Sequence, residues 1–195
     1  MHTSNKTSMS KLRSAMYNFD ETDTRKVISS LFTPDAIIHM PWPLGDMTGP
    51  DELYDTCYKP LLRSVPDLER RDWIVVGGLT KAGDEWVGCG GHYTGTFTAP
   101  WLDIPPTGHL VHMRFHEFYK FRGGKIVEVQ ARWDIPEVMM QANSWPMAPS
   151  LGREYHIPGP ATLDGIFRGP WNKQKSDRNC SLVIEMMKYM KLHPS

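Results

Sequence analysis

Near the start of the chain, apolar residues return every three or four positions. Met9, Leu12, Met16 and Phe19 make one stripe, the mark of a short amphipathic helix. Val27, Ile28, Leu31 and Phe32 form the face of a second helix, which Thr22 or Asp23 caps and Pro34 stops. The run DAIIHM at 35–40 then reads as a strand. At Thr48-Gly49-Pro50-Asp51-Glu52 a proline suits the first turn of a third helix, and two acids meet the positive end of its dipole. Leu53, Cys57 and Leu61 continue that stripe. Pro60 lacks a backbone donor, so a bend or break is expected there.

From Arg70 onward the period shortens to two. RDWIVVGGL, EWVGCGGHYTGTF, HLVHMRFHEFYKF and KIVEVQARW predict four long strands, with a turn at Ala82-Gly83-Asp84 and a Pro-rich loop before the third. Gly88, Gly90, Gly91 and Gly95 inside one strand predict bulges and a sharply curved sheet. If Phe121 pairs with Lys125 across Arg122-Gly123-Gly124, one face carries Val111, Met113, Phe115, Tyr119, Val127, Val129, Ala131 and Trp133. The other carries His112, Arg114, His116, Phe118, Glu128, Gln130, Arg132 and Asp134, and His112 falls opposite Asp134. DIPEVMMQAN then reads as a short helix, and a last helix is expected over 179–192. The chain thus divides into a domain at 1–145 and a Pro/Gly-rich extension at 146–195, an arm suited to wrapping a partner subunit.

A length of 195 residues fits one domain with an appendage. Lys plus Arg and Asp plus Glu are 22 each, so no net field draws the chain to nucleic acid or to anionic membrane. With 40 % hydrophobic and 23 % charged residues a packed core is expected, and 12 Met and 7 Trp suit an adaptable apolar cavity or interface. No apolar run approaches the roughly 18 to 20 residues of a membrane span, and the start MHTSNKTSMSKLRSAM has no apolar leader core. Cys57, Cys89 and Cys180 are odd in number and lack C-x-x-C spacing, which points to the cytoplasm and away from disulfides or zinc.

Four segments in this order, FTPDAIIHMPWPLGDMTGPDELY, KPLLRSVPDLERRDW, GHYTGTFTAPWLDIPPTGH and GKIVEVQARWDIPEVMMQ, resemble the SnoaL-like polyketide cyclase family of the nuclear transport factor two superfamily, over about residues 10–143. The resemblance implies an α+β fold, a cone-shaped curved antiparallel sheet covered by N-terminal helices and enclosing a pocket. It implies homodimers or homotetramers. It also implies intramolecular aldol closure of a hydrophobic, polyketide-like carbonyl compound without metal or organic cofactor, with Asp134 in the place of the acid/base. The same fold carries dehydratases, isomerases, epoxide hydrolases and plain ligand binders, so fold alone does not choose among them. Two places depart from the family pattern: Tyr93 stands where His is usual, and Gln130 where an aromatic is common.

As a base, Asp134 in an apolar pocket would have a raised pKa and serve an enolisation. Asp134-Ile135-Pro136-Glu137 also reads as a capping box, in which the carboxylate accepts backbone N–H bonds and is held acidic. His112 either assists Asp134 or is a bonded histidine of a polar face. His39 and Trp42 are expected at the pocket mouth, the first to bind a substrate oxygen and the second to wall a ring; His39 reads equally as a core histidine. Tyr93 and Trp101 would shape the pocket, and the stiff loop 98–107 would cover it or seal a subunit contact. Arg114, His116 and Gln130 complete the substrate-facing candidates, Arg114 with Arg132 offering either a carboxylate site or ion pairs with Glu128. His112 and His116 lie roughly 13 Å apart along a strand, too far to share a metal ion. Phosphate cradles and nucleophile elbows are lacking.

Overall fold

The computed structural model describes residues 2–148, 159, 161–162, 164–166 and 169–190. Helix α1 (His2–Ala15) buries the expected stripe, with Met9, Leu12 and Met16 all inside. Helix α2 (Glu21–Leu31) is capped by Asp20 rather than by Thr22 or Asp23, because Asp20 Oδ1 accepts the Asp23 amide at 2.8 Å. It ends at Leu31 and runs directly into strand β1 (Phe32–His39). Pro34 therefore lies inside a strand and does not terminate the helix. The ladder of β1 with its neighbour is irregular between Phe32 and Ile37, where a residue without a donor is tolerated.

Helix α3 (Pro50–Leu53), a wide π-turn (Tyr54–Tyr58) and helix α4 (Lys59–Ser64) form one uninterrupted helical run. Pro60 does not break it. The π-turn just before it carries the Lys59 amide back to the Tyr54 carbonyl, and this wider turn accommodates Pro60 at the start of α4.

Strands β2 (Asp46–Thr48), β3 (Glu69–Leu79), β4 (Glu85–Thr96), β5 (Leu110–Arg122) and β6 (Lys125–Trp133) join β1 in one sheet of order β2-β1-β6-β5-β4-β3. The sheet is mixed and not wholly antiparallel, since β1 pairs with β6 in parallel. The long stretch of chain between those two strands supplies the crossover that a parallel pair needs. The β3–β4 ladder skips at Trp73, between Asp72 and Ile74, and bends the sheet. Opposite that bulge, a Cβ on Gly91 would sit 2.1 Å from the Arg71 carbonyl oxygen, so only glycine lets the strands approach.

The β5–β6 register differs from the expected one. A tight turn pairs Arg122 with Lys125, and Val127 is an extra residue between the Phe121–Ile126 and Lys120–Glu128 pairs. Beyond this bulge Tyr119 faces Val129, and the ladder ends at Phe115–Trp133. Beyond the bulge the net slip is two residues, which leaves side chains on their expected faces; before it the slip is one, so Ile126 and not the expected Val127 is buried, opposite Phe121. The slip removes Asp134 from its expected place opposite His112, whose partner on β4 is Thr94.

Part of the extension packs on this chain itself. A short 3-10 turn (Asp164–Ile166) lies on β3, where a Cβ on Gly165 would come within 2.4 Å of the Trp73 carbonyl oxygen. The last helix, α6 (Lys173–Tyr189), begins earlier than expected and buries none of its residues; positions 191–192 lie outside the described residues. Among the described residues no helix is long and apolar enough to cross a membrane.

Candidate functional site

The inner face of the sheet holds a polar network in an otherwise apolar core. Arg70 of β3, 1 % exposed, donates from Nε and Nη2 to the two Asp72 oxygens at 3.1 and 3.0 Å. Its Nη1 reaches Glu117 Oε2 at 2.5 Å and the Tyr93 hydroxyl at 2.8 Å. Glu117 also accepts from Tyr93 at 3.0 Å, Tyr119 at 2.5 Å and Trp133 Nε1 at 2.7 Å. Burial pushes the Glu117 carboxyl up, but the Arg70 charge and the hydrogen bonds from Tyr119, Trp133 and Arg70 outweigh it and hold the group below its ordinary value. A carboxylate so fully engaged is a weak base. None of these partners except Tyr93 stands out in the sequence. The signal was Glu117 itself, a charge in the apolar stripe between Phe115 and Tyr119.

Beside this network an apolar cleft opens between α4, the sheet and α5. Leu61, Val65 and Leu68 form one wall, Val111, Met113 and Val138 another, and Tyr93 and Trp101 close it. It is narrow, with a free volume of about 20 Å³, little more than the room of one water molecule. Gly95 passes under Val65 so closely that a Cβ would sit 2.4 Å from Val65 Cγ1. Trp101, 3 % exposed, is fixed by a tight turn in which its amide donates to the Ile104 carbonyl at 3.2 Å and the Ile104 amide returns the bond at 2.8 Å. The two central residues, Leu102 and Asp103, have φ of 50° and 63°, the left-handed pair that such turns require and that usually falls to Asn-Gly. The Ser64 carbonyl accepts the Thr98 and Ala99 amides, and Ser64 Oγ donates to the Pro100 carbonyl at 2.9 Å. Of loop 98–107, Trp101 lines the cleft. The buried Trp101 Nε1–H has no acceptor among the described residues, an omission that costs about 1–3 kcal/mol in a dry site.

At the far end of the cleft β6 stops at Trp133, and side chains of α5 (Ile135–Gln141) take over the pairing of β5. The Asp134 amide donates to the Arg114 carbonyl at 2.8 Å, and Glu137 Oε2 accepts the Arg114 amide at 2.8 Å. Gln141 accepts the His112 amide at 3.0 Å and donates to the His112 carbonyl at 2.7 Å. Asp134, Glu137 and Gln141 thereby finish the sheet edge that β6 leaves open. Asp134 Oδ1 accepts the Glu137 amide at 3.2 Å as the helix cap, while Oδ2 lies 3.9 Å from Arg114 Nη2, with the side chain 36 % exposed. His112 Nε2 is 3.4 Å from Glu137 Oε1, so the carboxylate beside His112 is Glu137, not Asp134. Burial pushes the Glu137 carboxyl up; hydrogen bonds from His112 and from the Arg114 amide, with both their charges, bring it below its ordinary value.

The structure thus gathers Asp134, His112 and Arg114 around Glu137, and places Tyr93 and Trp101 on the cleft. The other candidates lie apart from it. His39 Nδ1 meets Asp46 Oδ1 at 2.8 Å at the exposed end of β1, and is not a core histidine. Trp42 is 87 % exposed and is not among the residues that line the cleft. His116 and Gln130 are exposed on the outer sheet face, where Gln130 donates to Glu128. Arg132 donates to the Ala131 carbonyl.

The model of the SnoaL-like polyketide cyclase family matches residues 10–142. Among solved structures, the candidate SnoaL-like polyketide cyclase from Jannaschia sp. CCS1 aligns with a TM-score of 0.62 at 22 % identity, over 75 % of this chain and 95 % of that one. AclR, a candidate hydroxylase from Streptomyces galilaeus, aligns with a TM-score of 0.62 at 17 % identity, over 77 % and 92 %. IdmH, a candidate polyketide cyclase from Streptomyces antibioticus, gives 0.58 at 20 %, over 71 % and 97 %. Identities this low establish a shared fold and nothing about chemistry. No curated protein matches the sequence. A family match across most of the chain, on a curved six-stranded sheet with helices of the same cone form, makes this protein a member of the SnoaL-like polyketide cyclase family.

Proposed function

We propose that the protein takes a small hydrophobic carbonyl compound of the polyketide type into the cleft under Trp101, and that Asp134 acts there as the cap of α5 rather than as a general base. The cap geometry carries this reading. A carboxylate that accepts the amide three residues on, lies near a guanidinium and is one-third exposed has the partners of a helix N-cap. His112 is engaged with Glu137 and has a positioning role at the sheet edge. The apolar walls of the cleft support the ligand class. The apolar side chains Ile74, Val76 and Phe118 on the outer sheet face support a homo-oligomer, which light scattering on the eluting protein would measure.

A second reading keeps Asp134 as the acid/base of an aldol closure, assisted by His112 and without a cofactor. One observation favours it: Val138, one turn along α5 from Asp134, lines the cleft. Hydrogen exchange at the methyl group of acetophenone in D2O separates the two. The binding reading expects acetophenone to shift the signals of cleft residues, with methyl exchange no faster than in buffer. Protein-dependent exchange that disappears in Asp134→Asn would overturn it in favour of the base, because Asn caps almost as well as Asp but cannot take a proton.

A further inference from the structure

Helix α6 changes character half way along. Its first turns carry Lys173, Lys175, Asp177 and Arg178, whereas Leu182, Val183, Ile184, Met186, Met187 and Tyr189 follow, each 43–68 % exposed. At about 100° per residue these six spread over roughly 220° of the helix, and only Ser181, Glu185 and Lys188 fill the remainder. So wide an apolar arc marks one half of a contact. A second apolar surface lies on the outer face of the sheet. Ile74 and Val76 of β3 and Phe118 of β5 are each 45–57 % exposed, and the residues between them on β4 are Gly90 and Gly88. A Cβ on Gly88 would lie 3.2 Å from the Phe118 ring and 3.4 Å from Val76 Cγ2, so both side chains reach over the glycine and form one patch across three strands. We propose that α6 is an exchange arm: its apolar half, 182–190, lies on the outer sheet face of a second copy of this chain, and the second copy's arm lies on this one. This rests on the reading of the protein as a homo-oligomer and names the surfaces that join it.

The root of the arm sits beside the patch. Gly165 packs against the Trp73 carbonyl, and a Cβ there would also come within 3.3 Å of Ile74 Cγ1. The arm therefore leaves its own body at the border of this face, and a partner related by a two-fold axis near that border presents the same face within reach. In the single chain α6 buries no residue, so its own face does not hold it. Area decides between one-way and reciprocal docking. Nine residues of helix are about 13 Å long, and on a helix 10–12 Å thick an arc of that width presents roughly 350 Å². One arm on one face buries about twice that, roughly 700 Å², the size of a chance crystal contact, whereas two reciprocal contacts bury about 1,400 Å², within the range of a stable complex. Pairing of arm with arm fits less well, since a two-stranded seam needs a narrow stripe and this arc is broad enough for a flat sheet face. A membrane surface also fits less well. Interfacial helices carry Lys and Arg along the polar face, but beside this apolar arc stand Ser181, Glu185 and Lys188, with no net charge.

The test is sedimentation velocity of the full-length protein over a range of concentrations, unaltered and as Met186→Asp and Phe118→Asp. The unaltered chain should be a dimer. Each variant alone should raise the dimer Kd at least about 100-fold, because in a two-fold pair each substitution strikes both contacts, at about ten-fold apiece. The two variants are then mixed in equal amounts, one of them isotope-labelled so that native mass spectrometry tells mixed pairs from like pairs. The mixture should associate more weakly than the unaltered chain but at least about ten-fold more tightly than either variant alone, since the Phe118→Asp chain keeps its arm and the Met186→Asp chain keeps its face. A mixture no tighter than its components overturns the exchange. So does a Met186→Asp protein that dimerises like the unaltered chain, in which case the homo-oligomer reading stands and only the role of the arm is lost. If the unaltered protein is a monomer, the homo-oligomer reading fails and this inference fails with it; flotation of that monomer with vesicles of phosphatidylcholine and phosphatidylglycerol would assign α6 to a membrane instead. Should Phe118→Asp fail to fold, Val76→Asp, 57 % exposed on the edge strand, takes its place.

Discussion

Replacing Glu117 with glutamine keeps its shape and removes its charge, which isolates what the carboxylate contributes to the core. The four donors around it divide into two pairs: Tyr93 and Trp133 on Oε1, Arg70 and Tyr119 on Oε2. An amide nitrogen on the Oε2 side would confront the Arg70 guanidinium, which cannot accept. On the Oε1 side it confronts Trp133 Nε1–H, which also cannot accept, although the Tyr93 hydroxyl can turn to do so. The second arrangement is the milder. It still orphans one buried donor, at about 1–3 kcal/mol, and weakens a charge-assisted bond to Arg70 worth about 1.5–3 kcal/mol. The expected destabilisation is therefore about 3–5 kcal/mol, as for other buried pairs that lose one partner. With a urea m-value of about 2 kcal/mol/M, the unfolding midpoint should fall by about 1.5–2.5 M. Trp133→Phe removes the donor that glutamine orphans, so the double variant should be less destabilised than the sum of the two single changes. A loss below about 1 kcal/mol for Glu117→Gln, or strict additivity of the pair, would refute the account of the network.

Other predictions follow from the same contacts. Gln141→Ala deprives the His112 amide and carbonyl of their partners, and should cost about 1–2 kcal/mol and speed hydrogen exchange at the His112 amide while exchange at Phe115, paired with Trp133, is unchanged. Glu117 and Glu137 are both held below the ordinary carboxylate value of about 4.3, so the stability they confer is complete above that pH and is lost as pH falls through their folded values. The unfolding midpoint should be level from pH 7 to about 5 and drop below about 4.5, with a shallower drop in Glu117→Gln. Burial pushes the Cys57 and Cys89 thiols up to about 12, whereas Cys180 is exposed. A thiol reagent should therefore modify Cys180 rapidly in the native protein and all three cysteines in urea; fast reaction at Cys57 or Cys89 without urea would contradict the packing.

What could be read from the sequence was whatever repeats. The α1 stripe and the four long strands β3 to β6 announce themselves through period, and alternation along β5 assigned its faces correctly. Parity, however, is blind to a slip of two. The tight turn at Gly123-Gly124 and the extra residue Val127 each move the ladder by one, and beyond the bulge no side chain changes face to reveal it; only Ile126, buried where Val127 is expected, marks the shift. Hence pairing by parity puts His112 opposite Asp134, whereas the carboxylate beside it is Glu137. Pro60 misled for a different reason: a π-turn widens the helix before it, an accommodation made by neighbours rather than by the proline. Trp42 read as a pocket wall from its place after β1, but only the tertiary path of the loop decides where an aromatic after a strand points. Glu117 stood in plain view as a charge in an apolar stripe, but its partners Arg70 and Trp133 lie 47 and 16 residues away along the chain, and nothing local pairs them.

The edge of β5 that α5 completes has a consequence for how this protein tolerates change. In an ordinary ladder the rungs are backbone atoms common to all residues except proline, so a substitution alters packing and leaves the rungs in place. Here some rungs belong to Glu137 and Gln141 themselves, and each can be deleted by changing one codon. The end of the sheet nearest the cleft is thus written in side-chain identity and can be loosened one bond at a time, while Ile126 to Trp133 hold the rest of β5 in register.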